Sequence, residues 1–172
     1  IQNIRNNVIT LITPVLEVDG REKHVDTYYY GKKTGKQRPP LVFCHGFPDL
    51  GFSWRNQLPA VADAGFRAIA PDQRGYGDTT APEPIDAYGL GDLTGDLADL
   101  LDALEIERAI FVGHDWGGFV AWAMPVLFPE RCAGVVGVCT PYTPFPGTEF
   151  LKAMFGEDPV ELGGAGGGGG FG

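Results

Sequence analysis

The sequence predicts an α/β protein in which a mostly parallel sheet is flanked by helices. Short apolar runs recur along the chain, and each one stops at a polar or proline-containing turn. Such runs are typical of parallel strands that are buried on both faces. Helical patterns lie between the runs, and this alternation indicates βαβ units with right-handed crossovers. Ligands of such sheets bind beyond the carboxyl ends of the strands.

Five strands and three helices are predicted in chain order. The strands cover Thr27–Tyr30, Pro40–Cys44, Phe66–Ala70, Ala109–Gly113 and Gly134–Cys139. The first helix covers Trp54–Ala64. The second contains leucines at three- and four-residue spacing from Leu90 to Leu104, with aspartates on the opposite face, which is an amphipathic pattern. The third covers Gly118–Phe128 and is apolar on most sides, with Pro125 as the expected kink.

Composition excludes several classes of protein. A chain of 172 residues that is 44% hydrophobic suits one domain with a real core. The net charge of −9, without a lysine or arginine block, disfavours nucleic acids and anionic membranes as partners. No apolar run approaches the ~20 residues of a membrane span, and no signal peptide is visible, so a soluble and cytoplasmic protein is expected.

The cysteines and histidines show no metal-ligand spacing, so neither a metal nor a cofactor is expected. The three cysteines, Cys44, Cys132 and Cys139, lie in apolar settings and are interpreted as reduced core thiols. The GxG at 75–77 lacks the third glycine and the immediate helix of a dinucleotide site. An Asp72–Arg74 ion pair within a turn is expected there instead.

The end of the fourth predicted strand carries the most informative motif. Residues 113–118, GHDWGG, have the shape of a nucleophile elbow, in which a side chain stands at a sharp strand-to-helix turn. Small residues around the turn let strand and helix approach closely. Asp115 is therefore the candidate nucleophile, although an aspartate at this position is also a favoured helix N-cap.

An earlier strand exit supplies a partner for this elbow. Residues 45–48, HGFP, form a turn whose glycine lets backbone N–H groups face a cleft, with a candidate cis bond before the proline. The N–H groups of Phe47 and Trp116 are then the two donors of an oxyanion hole.

The same turns supply the candidate pocket. Phe47, Trp116 and Trp54 are expected to line an apolar pocket, with helix core as the alternative for Trp54. His45 and His114 adjoin the site, either in support of the chemistry or as loop-fixing hydrogen-bonding groups.

Three motifs together resemble the α/β-hydrolase superfamily and, within it, the epoxide hydrolases: HGFP at 45–48, DQRGYGDT at 72–79 and GHDWGG at 113–118. The resemblance covers roughly residues 15–160. It implies an α/β-hydrolase fold with an eight-stranded mixed sheet and a helical cap after the sixth strand. Residues 1–140 would be the N-terminal part of the hydrolase core and 141–162 the start of the cap. Residues 163–172 would be a glycine-rich tail, either a linker or placeholder residues.

A carboxylate nucleophile sets the substrate class. Its ordinary pKa of ~3.9 leaves it ionised at neutral pH. Because attack on an acyl carbon would give an unproductive anhydride, it suits displacement at saturated carbon, as in epoxides or alkyl halides. The product is an ester of Asp115 that water must hydrolyse, with a histidine as the usual base. A small apolar epoxide and water are the expected partners.

In the superfamily, the catalytic residues follow one another along the chain as nucleophile, acid and histidine. This sequence has no histidine after the candidate nucleophile. His24, His45 and His114 all precede Asp115. The general base and its acid, the cap and the late strands are therefore expected in a larger enzyme of which these residues are the N-terminal portion. Two alternatives stay open: a haloalkane or haloacid dehalogenase with the same aspartate, and a non-catalytic binding relative. HGFP combined with HDWGG resembles the epoxide enzymes more than the dehalogenases.

Overall fold

The computed structural model describes residues 10–12, 15–18, 21–24, 27–30 and 38–142. The predicted cap segment and the glycine-rich tail lie outside the described residues, except for positions 141 and 142.

Eight strands are present in the described residues. They are β1 (Thr10–Ile12), β2 (Val15–Val18), β3 (Arg21–His24), β4 (Thr27–Tyr30), β5 (Leu41–Cys44), β6 (Ala68–Pro71), β7 (Ala109–His114) and β8 (Cys132–Val138). Six of them form one sheet in the order β1-β4-β6-β5-β7-β8, and β2 pairs with β3 as a separate hairpin. β6, β5, β7 and β8 run parallel, while β4 joins this group antiparallel. The mostly parallel sheet is thereby confirmed.

Three α-helices are described: α1 (Gln57–Asp63), α2 (Leu90–Ala103) and α3 (Trp116–Leu127). The predicted helix over 54–64 is divided in the structure, since a 3₁₀ helix over Gly51–Asn56 precedes α1. The helix predicted to begin at Gly118 begins at Trp116 instead. Shorter 3₁₀ helices cover Ile85–Tyr88 and Pro129–Arg131. None of the helices in the described ranges is long and apolar enough to cross a membrane.

Helices cover both faces of the sheet, because side chains alternate along each strand. Val42 and Phe111 pack in one buried cluster with residues of α2 and α3. Their neighbours Phe43 and Val112 pack on the other face, against Leu58 of α1. The result is a three-layer arrangement with the parallel strands between the helices, as the continuous apolar strand sequences predict.

Two side-chain expectations were wrong. Cys44 is fully buried and Cys132 is half-buried, but Cys139 is exposed, because it follows the last residue of β8 at a turn with a φ of 57°. All three are free thiols. Arg74 does not pair with Asp72. It forms an ion pair with Asp96 of α2, since the chain direction after β6 carries its side chain toward that helix.

Candidate active site

The site lies where the four parallel strands end. Because β5, β6, β7 and β8 run in the same direction, their exits lie at one edge of the sheet. Register places Cys44 beside Gly113 and His114 beside Val138. The HGFP loop, the elbow and the segment after β8 are therefore neighbours in space.

Glycines permit the sharp turn between β7 and α3. A Cβ at Gly113 would overlap the carbonyl oxygen of Gly117, and one at Gly117 would overlap the carbonyl oxygens of Cys44 and His45. Asp115 itself has φ 53° and ψ −124°, a backbone conformation that costs a non-glycine residue on the order of 1–3 kcal/mol. The turn lifts the Asp115 side chain to an exposed position at the sheet edge.

Two backbone amides hold the Asp115 carboxylate. The Phe47 N–H donates to Oδ1 at 3.0 Å, and the Trp116 N–H donates to the same carboxylate. These two hydrogen bonds, and then the charge of His114, hold the pKa of Asp115 below its usual range despite partial desolvation. Beyond this contact with the first residue of α3, the side chain makes no capping hydrogen bond to the helix, so N-capping does not account for this residue. An ionised, exposed carboxylate with two amide donors can act as a nucleophile.

The Phe47 amide belongs to a loop that is fixed by His45. The His45 side chain is 1% exposed. Its Nε2 accepts the Gln73 backbone N–H at 3.0 Å, and its Nδ1 lies 2.9 Å from the Gly46 carbonyl oxygen. Since the first partner is a donor and the second an acceptor, the imidazole is neutral with its proton on Nδ1. Burial lowers the His45 pKa, although the hydrogen bond to Gly46 and the charges of Asp72 and Asp49 oppose this.

Gln73 completes the contact between the two loops. Its side-chain amide donates to the His45 carbonyl oxygen at 2.6 Å, while the edge of the Tyr76 ring packs on the imidazole with centroids 4.8 Å apart. Both imidazole nitrogens are occupied, so His45 fixes the loop and has no free nitrogen for substrate. The Phe47–Pro48 bond is cis, as expected.

The segment after β6 forms one wall of the site. Asp72 is buried and accepts the Gly51 N–H at 2.6 Å, which ties this exit to the HGFP side of the sheet. Arg74 donates from Nε to Asp96 at 2.6 Å, and its other nitrogens contact a second Asp96 oxygen and the Ala87 carbonyl oxygen. The hydrogen bonds to Asp96 raise the Arg74 pKa.

A cavity of about 440 Å³ is lined by Gly46, Phe47 and Trp116, the residues that adjoin the Asp115 side chain. Aromatic and aliphatic side chains supply much of its wall, namely Phe47, Tyr76, Tyr88, Leu90, Leu93 and Trp116. Burial, and then the charge of Asp115, raises the pKa of Tyr76, whose phenol therefore stays protonated at neutral pH. An apolar molecule of modest size fits a cavity with this lining.

The structure thus brings together Asp115, Phe47, Trp116 and His45, and it places His114 next to the carboxylate at the end of β7. Trp54 does not line the cavity. It is 8% exposed and packs on Phe43 with ring centroids 5.0 Å apart, so its contacts are those of the core alternative. No group of three metal-ligating side chains occurs in the described part of the chain.

Sequence reasoning missed two residues that hold the site. Gln73 lies inside the DQRGYGDT motif, which marked the segment but not its contact with His45. Thr140 follows β8, and its hydroxyl donates to the main-chain oxygen of Asp115 at 3.0 Å. Its burial and its contact with Asp115 are visible only in the structure.

Comparisons with known proteins agree with this architecture. The family model of the alpha/beta hydrolase fold matches residues 39–162. Epoxide hydrolase A of Mycobacterium tuberculosis is 48% identical over 123 residues, covering 70% of this chain and 38% of the relative. An epoxide hydrolase of Caballeronia sordidicola is 50% identical over 104 residues, covering 60% of this chain and 32% of the relative.

Solved structures give the same result. The crystal structure of epoxide hydrolase A from Mycobacterium thermoresistibile superposes with a TM-score of 0.70 at 42% identity, covering 87% of this chain and 46% of that one. The present chain thus spans less than half the length of these relatives. Since the family model matches well over half of the 172 residues, the chain belongs to the alpha/beta hydrolase fold family.

Proposed function

We propose that this chain carries the nucleophile and the oxyanion hole of an epoxide hydrolase, which converts epoxides to vicinal diols. One observation carries the proposal: the exposed Asp115 carboxylate is held at the sheet edge by the N–H groups of Phe47 and Trp116. The similar proteins named epoxide hydrolase, at 48% and 50% identity, support the same reaction.

In the first step, Asp115 attacks a ring carbon of the epoxide. Because Oδ1 is occupied by the Phe47 N–H, Oδ2 is the attacking oxygen. The bond from Oδ2 to carbon forms as the bond from that carbon to the ring oxygen breaks. The ring oxygen takes up one proton from solvent water, and the product is a β-hydroxyalkyl ester of Asp115. Because the amide donors lower the Asp115 pKa, the carboxylate needs no base before attack.

In the second step, water attacks the carbonyl carbon of this ester. Oδ1 is now the carbonyl oxygen and already accepts the Phe47 N–H, so the developing negative charge forms in the oxyanion hole. Losing one such donor typically lowers the rate by about 10²–10³. The bond from the carbonyl carbon to Oδ2 then breaks, and Oδ2 leaves as a hydroxyl of the diol with one of the two protons of the attacking water. The other proton passes through the base to solvent, which restores the carboxylate and balances the proton taken up in the first step.

His45 is not the base for the second step, since both of its ring nitrogens are occupied. The proposal assigns that base to a residue outside those described. A non-catalytic binding relative would need neither an ionised carboxylate nor paired donors. A dehalogenase would use the same aspartate, but none of the described contacts favours a halide over an epoxide oxygen as leaving group.

Mass spectrometry of the full-length protein tests the proposal. After mixing with styrene oxide and acid quenching, we expect one added epoxide mass on the peptide that contains Asp115. Asp115→Asn should give neither adduct nor diol. Asp63→Asn is the matched control, because this exposed aspartate lies on α1 at the opposite edge of the sheet. Diol formation by Asp115→Asn at the wild-type rate would contradict the proposal. Halide release from a bromoalkane, without diol from styrene oxide, would establish the dehalogenase instead.

A further inference from the structure

We propose that Thr140 is a positioning residue that aims the Trp116 N–H of the oxyanion hole. The inference rests on the proposed function for its catalytic consequence, but its geometric part stands on the structure alone. Thr140 follows β8, and its Oγ1 donates to the main-chain carbonyl oxygen of Asp115 at 3.0 Å.

The peptide group between Asp115 and Trp116 links this contact to the carboxylate. The Asp115 C=O and the Trp116 N–H belong to one planar unit, so the direction of the oxygen fixes the direction of the N–H. Thr140 holds the oxygen at one edge of this plane. At the opposite edge, the N–H donates to the Asp115 carboxylate. A rotation of the peptide would break both contacts together.

The Asp115 carbonyl oxygen has a second partner, the Gly118 N–H at 2.9 Å. That bond lies within the first turn of α3 and follows the helix as it moves. The Thr140 bond comes from the segment that follows β8, so it anchors the elbow to the end of a neighbouring strand. This anchor matters because Asp115 has a φ of 53°, a conformation that an unrestrained aspartate leaves readily.

Packing allows the Thr140 side chain little freedom. Thr140 is 6% exposed, and a Cβ at Gly118 would overlap its Cβ and Oγ1. Its own carbonyl oxygen accepts the Trp122 Nε1–H at 3.0 Å. Oγ1 also lies 3.5 Å from the Val138 carbonyl oxygen. A hydroxyl has one proton, and the shorter contact to Asp115 is the better acceptor.

Three variants of the full-length protein test this role. Thr140→Val keeps the shape and removes the donor, while Thr140→Ser keeps the donor. Thr94→Val is the matched control, since Thr94 is also buried and donates to a main-chain oxygen, Leu90 at 2.6 Å on α2. Thr140→Ala replaces Thr140→Val if the latter does not fold.

Two measurements distinguish positioning from general stability. The first is hydrogen exchange of the Trp116 amide by NMR, which needs no substrate. We expect faster exchange in Thr140→Val, and wild-type exchange in Thr140→Ser and Thr94→Val. The second is the decay of the Asp115 ester in a single turnover. We expect about tenfold slower decay in Thr140→Val with the rate of ester formation changed less than twofold, and near wild-type decay in Thr140→Ser.

Unchanged exchange of the Trp116 amide in Thr140→Val would overturn the inference, whatever the activity. Faster exchange with an unaltered ester decay would overturn its catalytic part. If wild-type protein forms no ester on Asp115, the proposed function fails, while the exchange measurement still decides whether Thr140 holds the peptide.

Discussion

The two halves of the proposed oxyanion hole are built in different ways. The elbow half, Asp115 and Trp116, is held by close approach of backbones at Gly113 and Gly117, where a Cβ would meet main-chain atoms. The loop half, Gly46 and Phe47, is held by polar contacts of one neutral histidine with Gln73.

The difference lies in what each half can tolerate. Backbone packing does not titrate, but it has no space for one added methyl group. The hydrogen bonds of His45 are not set by such main-chain contacts, but they depend on the proton occupancy of the imidazole. We therefore expect substitution at the glycines of the elbow half to destabilise the fold. Acid should instead disrupt the hydrogen bonds that hold the loop half.

The largest expected effect is on folding, from Gly113→Ala. The added Cβ would overlap the carbonyl oxygen of Gly117 and the Cα of Gly118, which are main-chain atoms that no rotamer change can move. We expect a loss of more than about 3 kcal/mol in the free energy of unfolding, measured with urea. Gly95→Ala is the control, because nothing lies within 4 Å of its Cβ in α2, and it should gain about 0.5–1 kcal/mol. Equal stability of the two variants would remove the proposed basis of the elbow half.

The next effect is on rate, from Gly46→Ala. Its Cβ would lie 2.6 Å from Asp115 Cβ and 2.8 Å from Oδ1. The Asp115 Cβ is fixed by its backbone, so the loop and the elbow must move apart, which displaces the carboxylate from the Phe47 amide. We expect diol formation to fall by about 10²–10³, with a loss in unfolding free energy smaller than that of Gly113→Ala, whose Cβ would meet main-chain atoms. A variant with the wild-type rate would show that the Phe47 hydrogen bond has no role in turnover.

The smallest effect is the pH dependence of stability that His45 confers. Burial lowers its pKa in the folded state, so between that pKa and ~6.5 the unfolded chain binds more protons. The contribution of the neutral imidazole is therefore complete above ~6.5 and is lost as pH falls. From pH 7.5 to 5.5, we expect wild-type protein to lose about 1 kcal/mol more than His45→Asn. If the unfolding free energies of the two proteins, measured with urea, change in parallel with pH, the neutral His45 imidazole does not stabilise the loop.

The same contrast explains what the sequence predicted. HGFP and GHDWGG are local motifs, in each of which a strand is followed directly by a turn with small residues. The position of Asp115 and the donors at Phe47 and Trp116 could therefore be predicted from short stretches of sequence. The parallel strands followed from continuous apolar runs, which only strands buried on both faces require.

Contacts between distant segments did not follow. The Asp96 partner of Arg74 lies 22 residues away, and its choice over Asp72 depends on which face of α2 meets the loop. Thr140 contacts Asp115 only because β8 pairs with β7. From the sequence alone, Trp54 suits a pocket wall and the core equally well, and its contact with Phe43 decides between them. These outcomes are set by tertiary packing, for which short-range patterns contain no signal.

The origin of the diol oxygen tests the central claim most directly. A single turnover of excess full-length protein with unlabelled epoxide is run in H₂¹⁸O, and the diol is analysed by mass spectrometry. If Asp115 forms the ester, its Oδ2 leaves with the diol, so the first diol is unlabelled and the ¹⁸O appears in Asp115. Direct attack of water on the epoxide would instead give labelled diol and an unlabelled carboxylate, and that result would contradict covalent catalysis by Asp115.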